Sequence, residues 1–122
     1  MTKASAACLL ILTMLFARTA PAAEQSFELT IRDNAVPSAA RVLRVQKNDR
    51  VVLRLTSDAP GELHLHGYRL EAKLAPGTAR ELAFDAYATG RYRLEWHPAA
   101  GKRSDARGHH GPPLATLEVR PQ

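Results

Sequence analysis

The stretch Gly90–Trp96, with the sequence GRYRLEW, alternates between two kinds of side chain along its whole length. Tyr92, Leu94 and Trp96 are aromatic or apolar, whereas the positions between them carry Arg, Arg and Glu. Because successive side chains of a strand point to opposite faces of a sheet, this period of two predicts a β-strand with one buried and one exposed face.

Six further segments show the same alternation or a short apolar run bounded by turn residues. They are Phe27–Ile31, Arg41–Gln46, Arg50–Thr56, Leu63–Leu70, Glu81–Phe84 and Leu114–Arg120. Lys47–Asp49 has turn chemistry, which predicts that the segments on either side of it form a hairpin. Asn34–Ala40 is expected to be a helical turn or a loop, and Pro98–Pro113, which lacks apolar periodicity, a long loop. Seven or eight short strands separated by turns predict an all-β sandwich.

The first 22 residues have the features of a signal peptide. Lys3 supplies a positive charge, the segment 6–17 is almost continuously apolar, and Ala20-Pro21-Ala22 offers small residues for cleavage. The apolar run is too short to favour a membrane anchor. We therefore expect residues 1–22 to be removed and residues 23–122 to form one domain in the periplasm or outside the cell, without membrane insertion.

The sulfur-containing residues all lie in the predicted leader, namely Met1, Cys8 and Met14. The remaining 100 residues therefore offer no disulfide, no cysteine nucleophile and no sulfur ligand for a metal. They carry 15 basic and 12 acidic side chains, and the arginines are interleaved with acidic residues. No basic run with aromatic partners occurs, so nucleic acid is not an expected partner.

The candidate metal ligands are the histidines, which are His64, His66, His97, His109 and His110. In the string Leu63–Gly67, which reads LHLHG, strand alternation places His64 and His66 on one face about 6.5–7 Å apart. Two imidazoles at that separation can converge on one ion, and imidazole suits copper, zinc, nickel and iron. The alternative is a pair of solvated surface histidines opposite a leucine-packed face.

The other histidines flank the predicted loop. His97 follows the strand that ends at Trp96, and His109-His110 lies near the other end of the loop. These two positions can close a metal site from the loop, although an exposed loop tip without a ligand is the alternative for His109-His110. Glu62 shares the predicted face of His64 and is a candidate oxygen partner. No spacing of Ser, His and Asp suggests a catalytic triad and no glycine loop suggests phosphate binding, so an enzyme is not expected.

The order of these features resembles the cupredoxin-like family from Phe27 to Val119. The resemblance rests on a histidine-bearing strand (HLHGY, 64–68), a Pro-Gly turn (76–77), the strand GRYRLEW (90–96), a loop with histidine and a final strand ending LEV (117–119). It implies a Greek-key β-sandwich of about seven or eight strands and a possible copper site. The family's cysteine ligand falls on Trp96 and its methionine has no counterpart, so the resemblance does not imply a blue-copper electron carrier.

These observations predict an exported cupredoxin-like protein that binds a metal ion through histidine, with copper as the preferred ion, for metal binding or delivery. Another divalent metal is the next choice, and a periplasmic or membrane protein is the expected partner. The alternative is a metal-free accessory or protein-interaction module that has lost its copper site. A third possibility is an enzyme with a histidine-only copper site that acts on superoxide.

Overall fold

A computed structural model describes residues 22–100 and 112–122. Within these ranges the chain forms eight strands and one short 3-10 turn at Ser38–Ala40. The strands are β1 (Glu24–Ile31), β2 (Val42–Gln46), β3 (Arg50–Ser57), β4 (Gly61–Leu65), β5 (Leu70–Leu74), β6 (Arg80–Asp85), β7 (Gly90–Pro98) and β8 (Ala115–Arg120). The described residues include no helix that is both long and apolar enough to cross a membrane. The predicted leader lies outside the described residues, apart from Ala22.

The strands form two sheets that pack face to face. One sheet has the order β1-β3-β6, and the other has the order β2-β8-β7-β4-β5. Leucines from both sheets fill the space between them, and Leu53, Leu63 and Leu94 are completely buried. The predicted β-sandwich of seven or eight strands is therefore confirmed, and the period-two alternation identifies the inward face of each strand.

The predicted hairpin around Lys47–Asp49 is wrong, although the turn itself is present. The amide of Asp49 donates to the carbonyl of Gln46 (3.1 Å), and the Asp49 carboxylate accepts from the amides of Gln46 (2.8 Å) and Ala23 (3.2 Å). The two flanking strands nevertheless enter different sheets, because β2 pairs with β8 and β3 pairs with β1, both in parallel. Turn chemistry fixes the local change of direction, whereas the strand partners are set by distant segments.

The predicted strand Leu63–Leu70 is divided into β4 and β5 by a turn. Gly67 (φ 84°) and Arg69 (φ 55°) adopt left-handed backbone conformations, which end the extended segment. A Cβ atom at Gly67 would also collide with the ring of Tyr92. His66 is therefore the first residue after β4, while its amide still donates to the carbonyl of Arg93 on β7 (3.0 Å).

Strand β7 is longer than predicted, since it continues through His97 to Pro98. The reason is pairing with β4, in which Glu62 lies opposite His97 and Gly61 lies opposite Pro98. His97 is thus held by a strand rather than by the loop that follows. This difference places it in the same sheet as His64.

Candidate metal centre

The described histidines lie together on the outer face of the five-stranded sheet. Leu63 and Leu65 of β4 point into the core, so His64 between them points outward. In the antiparallel pairing of β4 with β7, His64 lies directly opposite Glu95 and Glu62 lies opposite His97. Side chains at directly opposite positions share a face, so these four residues form one outward-facing group.

The three imidazoles are close neighbours. The ring centroids of His64 and His97 are 4.7 Å apart, and those of His64 and His66 are 6.5 Å apart. The side chains of His64, His66 and His97 are 31%, 52% and 43% exposed. Solvent and a soluble ion can therefore reach all three rings directly.

Glu95 lies between two of these histidines and is the least exposed polar member of the group, with a side chain 13% exposed. Its Oε2 lies 3.0 Å from Nε2 of His66 and 3.8 Å from Nε2 of His97. Its Oε1 accepts a hydrogen bond from Nε of Arg93 at 3.2 Å. One carboxylate oxygen is thus held by an arginine while the other faces the imidazoles.

The pKa of Glu95 is lowered from its ordinary value. Burial by itself raises this pKa, but the charge and hydrogen bond of His66 and those of Arg93 lower it further than burial raises it. Because its pKa lies below the ordinary value, Glu95 is a carboxylate anion at neutral pH. An anion and neutral imidazoles are the protonation states in which these groups bind metals.

Two other carboxylates contact His64. Oε1 of Glu62 lies 3.0 Å from Nε2 of His64, and Oε1 of Glu71 on β5 lies 3.9 Å from Nδ1. One ligand atom from each of Glu62, His64 and Glu71 lies within 4.8 Å of the others, although Glu71 is 63% exposed. The outer face therefore holds two adjacent sets of donors, one around His64 and one around Glu95.

The arrangement fits a divalent metal ion that accepts nitrogen and oxygen ligands. Imidazoles that bind one ion at about 2.1 Å have ring centroids no more than about 6.5 Å apart. The separation of His64 and His97 (4.7 Å) lies within that limit, and the separation of His64 and His66 (6.5 Å) meets it for rings on opposite sides of the ion. Carboxylates that contact a ring nitrogen also orient ligating histidines in metal sites. His64, His66 and His97 are the residues that would hold the ion.

The structure brings together three of the predicted ligands, His64, His66 and His97, and places the predicted partner Glu62 beside them. His109 and His110 lie outside the described residues, and their predicted role as ligands stays a prediction. Sequence analysis missed Glu71 and Glu95. The alternation in β7 already puts Glu95 on the face of His97, but its contact with His66 depends on the pairing of β7 with β4.

Trp96, which the sequence resemblance aligns with the family's cysteine, lies on the opposite side of the sheet from this group. It pairs with the inward-facing Leu63 and packs against the core cluster. A Cβ atom at Gly61 would lie 2.5 Å from its ring, which shows how closely the indole covers that glycine. Its Nε1 donates to Oδ1 of Asn34 at 3.0 Å. Trp96 is therefore a packing residue, and the histidines do not surround it.

Comparison with solved structures identifies the fold. Similar chains include one from a heme-copper terminal oxidase dimer (TM-score 0.58, 21% identity, 79% of this chain and 65% of that chain). A copper-binding protein in the apo form has a TM-score of 0.58 at 10% identity, over 80% of this chain and 88% of its own. The periplasmic domain of subunit II of cytochrome oxidase from Bradyrhizobium japonicum has a TM-score of 0.54 at 15% identity, over 80% of this chain and 83% of that domain.

These similarities show that the chain has a cupredoxin-like fold, as its sequence features predict. Because the identities are low, the structural similarity establishes the fold alone. The chain spans less than two thirds of the oxidase chain, and 42% of a copper nitrite reductase from Nitrosomonas europaea that is also similar. No family model and no curated protein matches the sequence.

Proposed function

We propose that this protein is an exported copper-binding protein that holds Cu(II) through His64, His66 and His97 on the outer face of the five-stranded sheet. The observation that carries the proposal is the proximity of the His64 ring on β4 to the rings of His97 on β7 and His66 in the following turn, with centroid separations of 4.7 and 6.5 Å. Its role is metal binding or delivery in the periplasm rather than catalysis.

Copper is the preferred ion because imidazole nitrogen gives Cu(II) the highest affinity among the common divalent first-row metals. The fold supports this choice, since the similar structures include a protein described as copper-binding. The site differs from a blue-copper centre because no cysteine or methionine occurs after Met14. The bound ion would supply a Lewis-acidic, redox-active centre, and its spectrum would lack the intense thiolate-to-copper absorption.

The exposure of the site suits delivery. The three histidines are between 31% and 52% exposed, so a second protein can approach the ion without opening the fold. Glu62 and Glu95 hold the rings of His64 and His66 on a hydrogen-bonded sheet, which limits the rotamer entropy lost on binding. His109 and His110 are proposed to add ligands from the loop.

The test is a titration of tag-free purified protein with Cu(II) in competition with a chelator of known affinity. Trp96 is the only tryptophan, so quenching of its fluorescence provides the readout. We expect one tight site per chain, and a loss of affinity of at least about tenfold in His64→Ala, His66→Ala and His97→Ala. Arg91→Ala, a change on the same face, serves as the matched control.

The proposal is overturned if wild-type protein binds no Cu(II), or if the three histidine variants bind it as tightly as Arg91→Ala does. The double variant His109→Ala/His110→Ala measures the contribution of the loop separately. Loss of binding in this double variant alone would move the site away from the outer face and would contradict the proposed ligand set.

The second candidate function is a metal-free accessory or interaction module. The observation that favours it is Trp96, which fills the family's cysteine position with a packed indole. In this case the histidines are a solvated polar face. Wild-type protein would then show no saturable Cu(II) site and no copper-dependent rise in melting temperature.

A further inference from the structure

We infer that Glu95 is itself a metal ligand that joins the proposed histidines in a mixed nitrogen–oxygen set, and that this set selects Cu(II) over Cu(I). This inference rests on the proposed function and adds an oxygen donor that neither the sequence pattern nor the family's usual ligands indicate.

The first argument is the position of the carboxylate. Oε2 of Glu95 lies 3.0 Å from Nε2 of His66 and 3.8 Å from Nε2 of His97. Ligand atoms that each lie about 2.1 Å from one ion are about 3–4 Å from one another. Each of the two nitrogens therefore lies at a distance from Oε2 that two ligands of a shared ion can have.

The second argument is that Glu95 is held in place. Its side chain is 13% exposed, compared with 30% for Glu62 and 63% for Glu71. Arg93 binds the other carboxylate oxygen at 3.2 Å, which leaves Oε2 directed at the histidines. A carboxylate fixed in this way loses little side-chain entropy when it binds an ion.

The third argument concerns the oxidation state of copper. Thioether and thiolate ligands favour Cu(I), whereas carboxylate oxygen favours harder ions. An anionic oxygen in the ligand set stabilises the ion with the higher charge through Coulomb attraction. Replacing Glu95 should therefore weaken the binding of Cu(II) much more than the binding of Cu(I).

The experiment compares the affinities of wild-type protein, Glu95→Gln and Glu118→Gln for Cu(II) and for Cu(I), each against a competing chelator. Glu118→Gln is the matched control, because it makes the same change on the same sheet face, where Glu118 contacts Arg120 and Arg44. We expect Glu95→Gln to lose at least about tenfold in Cu(II) affinity, with Cu(I) affinity within about threefold of wild type and a raised copper reduction potential. The electron paramagnetic resonance spectrum of bound Cu(II) should shift towards that of an all-nitrogen site.

Several outcomes overturn the inference. If Cu(II) and Cu(I) affinities fall together, Glu95 only positions the histidines. If Glu95→Gln equals Glu118→Gln in affinity and spectrum, Glu95 has no role at the ion. If Glu71→Gln weakens Cu(II) binding and Glu95→Gln does not, the ion lies in the donor set around His64. A wild-type protein without Cu(II) binding would instead overturn the proposed function, and circular dichroism shows whether each variant is folded.

Discussion

Replacing Trp96 with cysteine tests whether the family's sulfur position can be restored in this chain. Strand alternation directs the side chain at position 96 inward, towards Leu63, whereas Glu95 and His97 on either side of it point outward. The sulfur and the ring nitrogen of a thiolate and an imidazole bound to one copper ion lie no more than about 4.3 Å apart, given metal–sulfur and metal–nitrogen bonds of about 2.3 and 2.0 Å. Side chains on opposite faces of a sheet cannot meet that limit without a change in the backbone.

The same substitution should reduce stability by an amount that the contacts of Trp96 allow us to estimate. Removing a fully buried tryptophan costs about 3–5 kcal/mol, and Trp96 is only partly buried against the core. The hydrogen bond to Asn34 (3.0 Å) is also lost, which adds about 1 kcal/mol. We expect Trp96→Cys to lower the free energy of unfolding by about 2–3 kcal/mol, or the melting temperature by about 10–20 °C for a domain of this size.

The assay combines thermal unfolding followed by circular dichroism with absorption and electron paramagnetic resonance spectra of the copper-loaded variant. We expect a clear loss of stability, no intense thiolate-to-copper absorption, and Cu(II) affinity at the histidines close to that of wild type. An intense charge-transfer band that disappears when His64 is also replaced would refute the placement of Trp96 and the histidines on opposite faces of the sheet.

Three further predictions address the turn geometry, the buried polar group and the pH dependence. Gly67→Ala should destabilise the protein by more than Gly77→Ala does. Both glycines have positive φ, a conformation that costs an alanine about 1–2 kcal/mol. Of the two, only Gly67 lies where an added Cβ atom would also meet the Tyr92 ring, which adds about 1–3 kcal/mol. Equal losses in urea unfolding would contradict this. Asp49→Ala should lower the free energy of unfolding by about 1–3 kcal/mol, because it leaves the backbone amides of Ala23 and Gln46 without their acceptor. An unchanged midpoint of urea unfolding would be incompatible with this role of the Asp49 carboxylate. The pKa of Glu95 is lower in the folded protein than its ordinary value of 4.5, so the ionised carboxylate stabilises the fold above pH 4.5, and this stabilisation is lost as the pH falls through the folded pKa. Acid should therefore destabilise the wild-type protein more than it destabilises Glu95→Gln. Parallel acid-unfolding profiles of the two proteins would argue against this.

The strands were predictable from the sequence because alternation is a local property. The inward face of β7, with Leu94 at its centre, follows directly from the GRYRLEW pattern, and the Ala115–Arg120 strand is found within one residue of its predicted start. The strand partners were not predictable in this way. Lys47–Asp49 has the composition of a hairpin turn, but β2 and β3 are bound by β8 and β1, which lie far away in the sequence.

The candidate site was predictable in its histidines but not in its carboxylates. The spacing of His64 and His66 identifies a shared face even though the strand ends between them. Glu95 and Glu71 become part of the group only when the register places each of them opposite His64 on a neighbouring strand. Register depends on the packing of both sheets, so one sequence without its fold does not reveal these contacts.

A crystal structure of the copper-loaded protein, with the ion located by anomalous diffraction at the copper edge, tests the central claim most directly. The account predicts one strong peak on the outer face of the five-stranded sheet, about 2.0–2.2 Å from a ring nitrogen of each of His64, His66 and His97 and from Oε2 of Glu95. A fully loaded crystal with its copper peak elsewhere, or bound by none of these three histidines, would contradict the account.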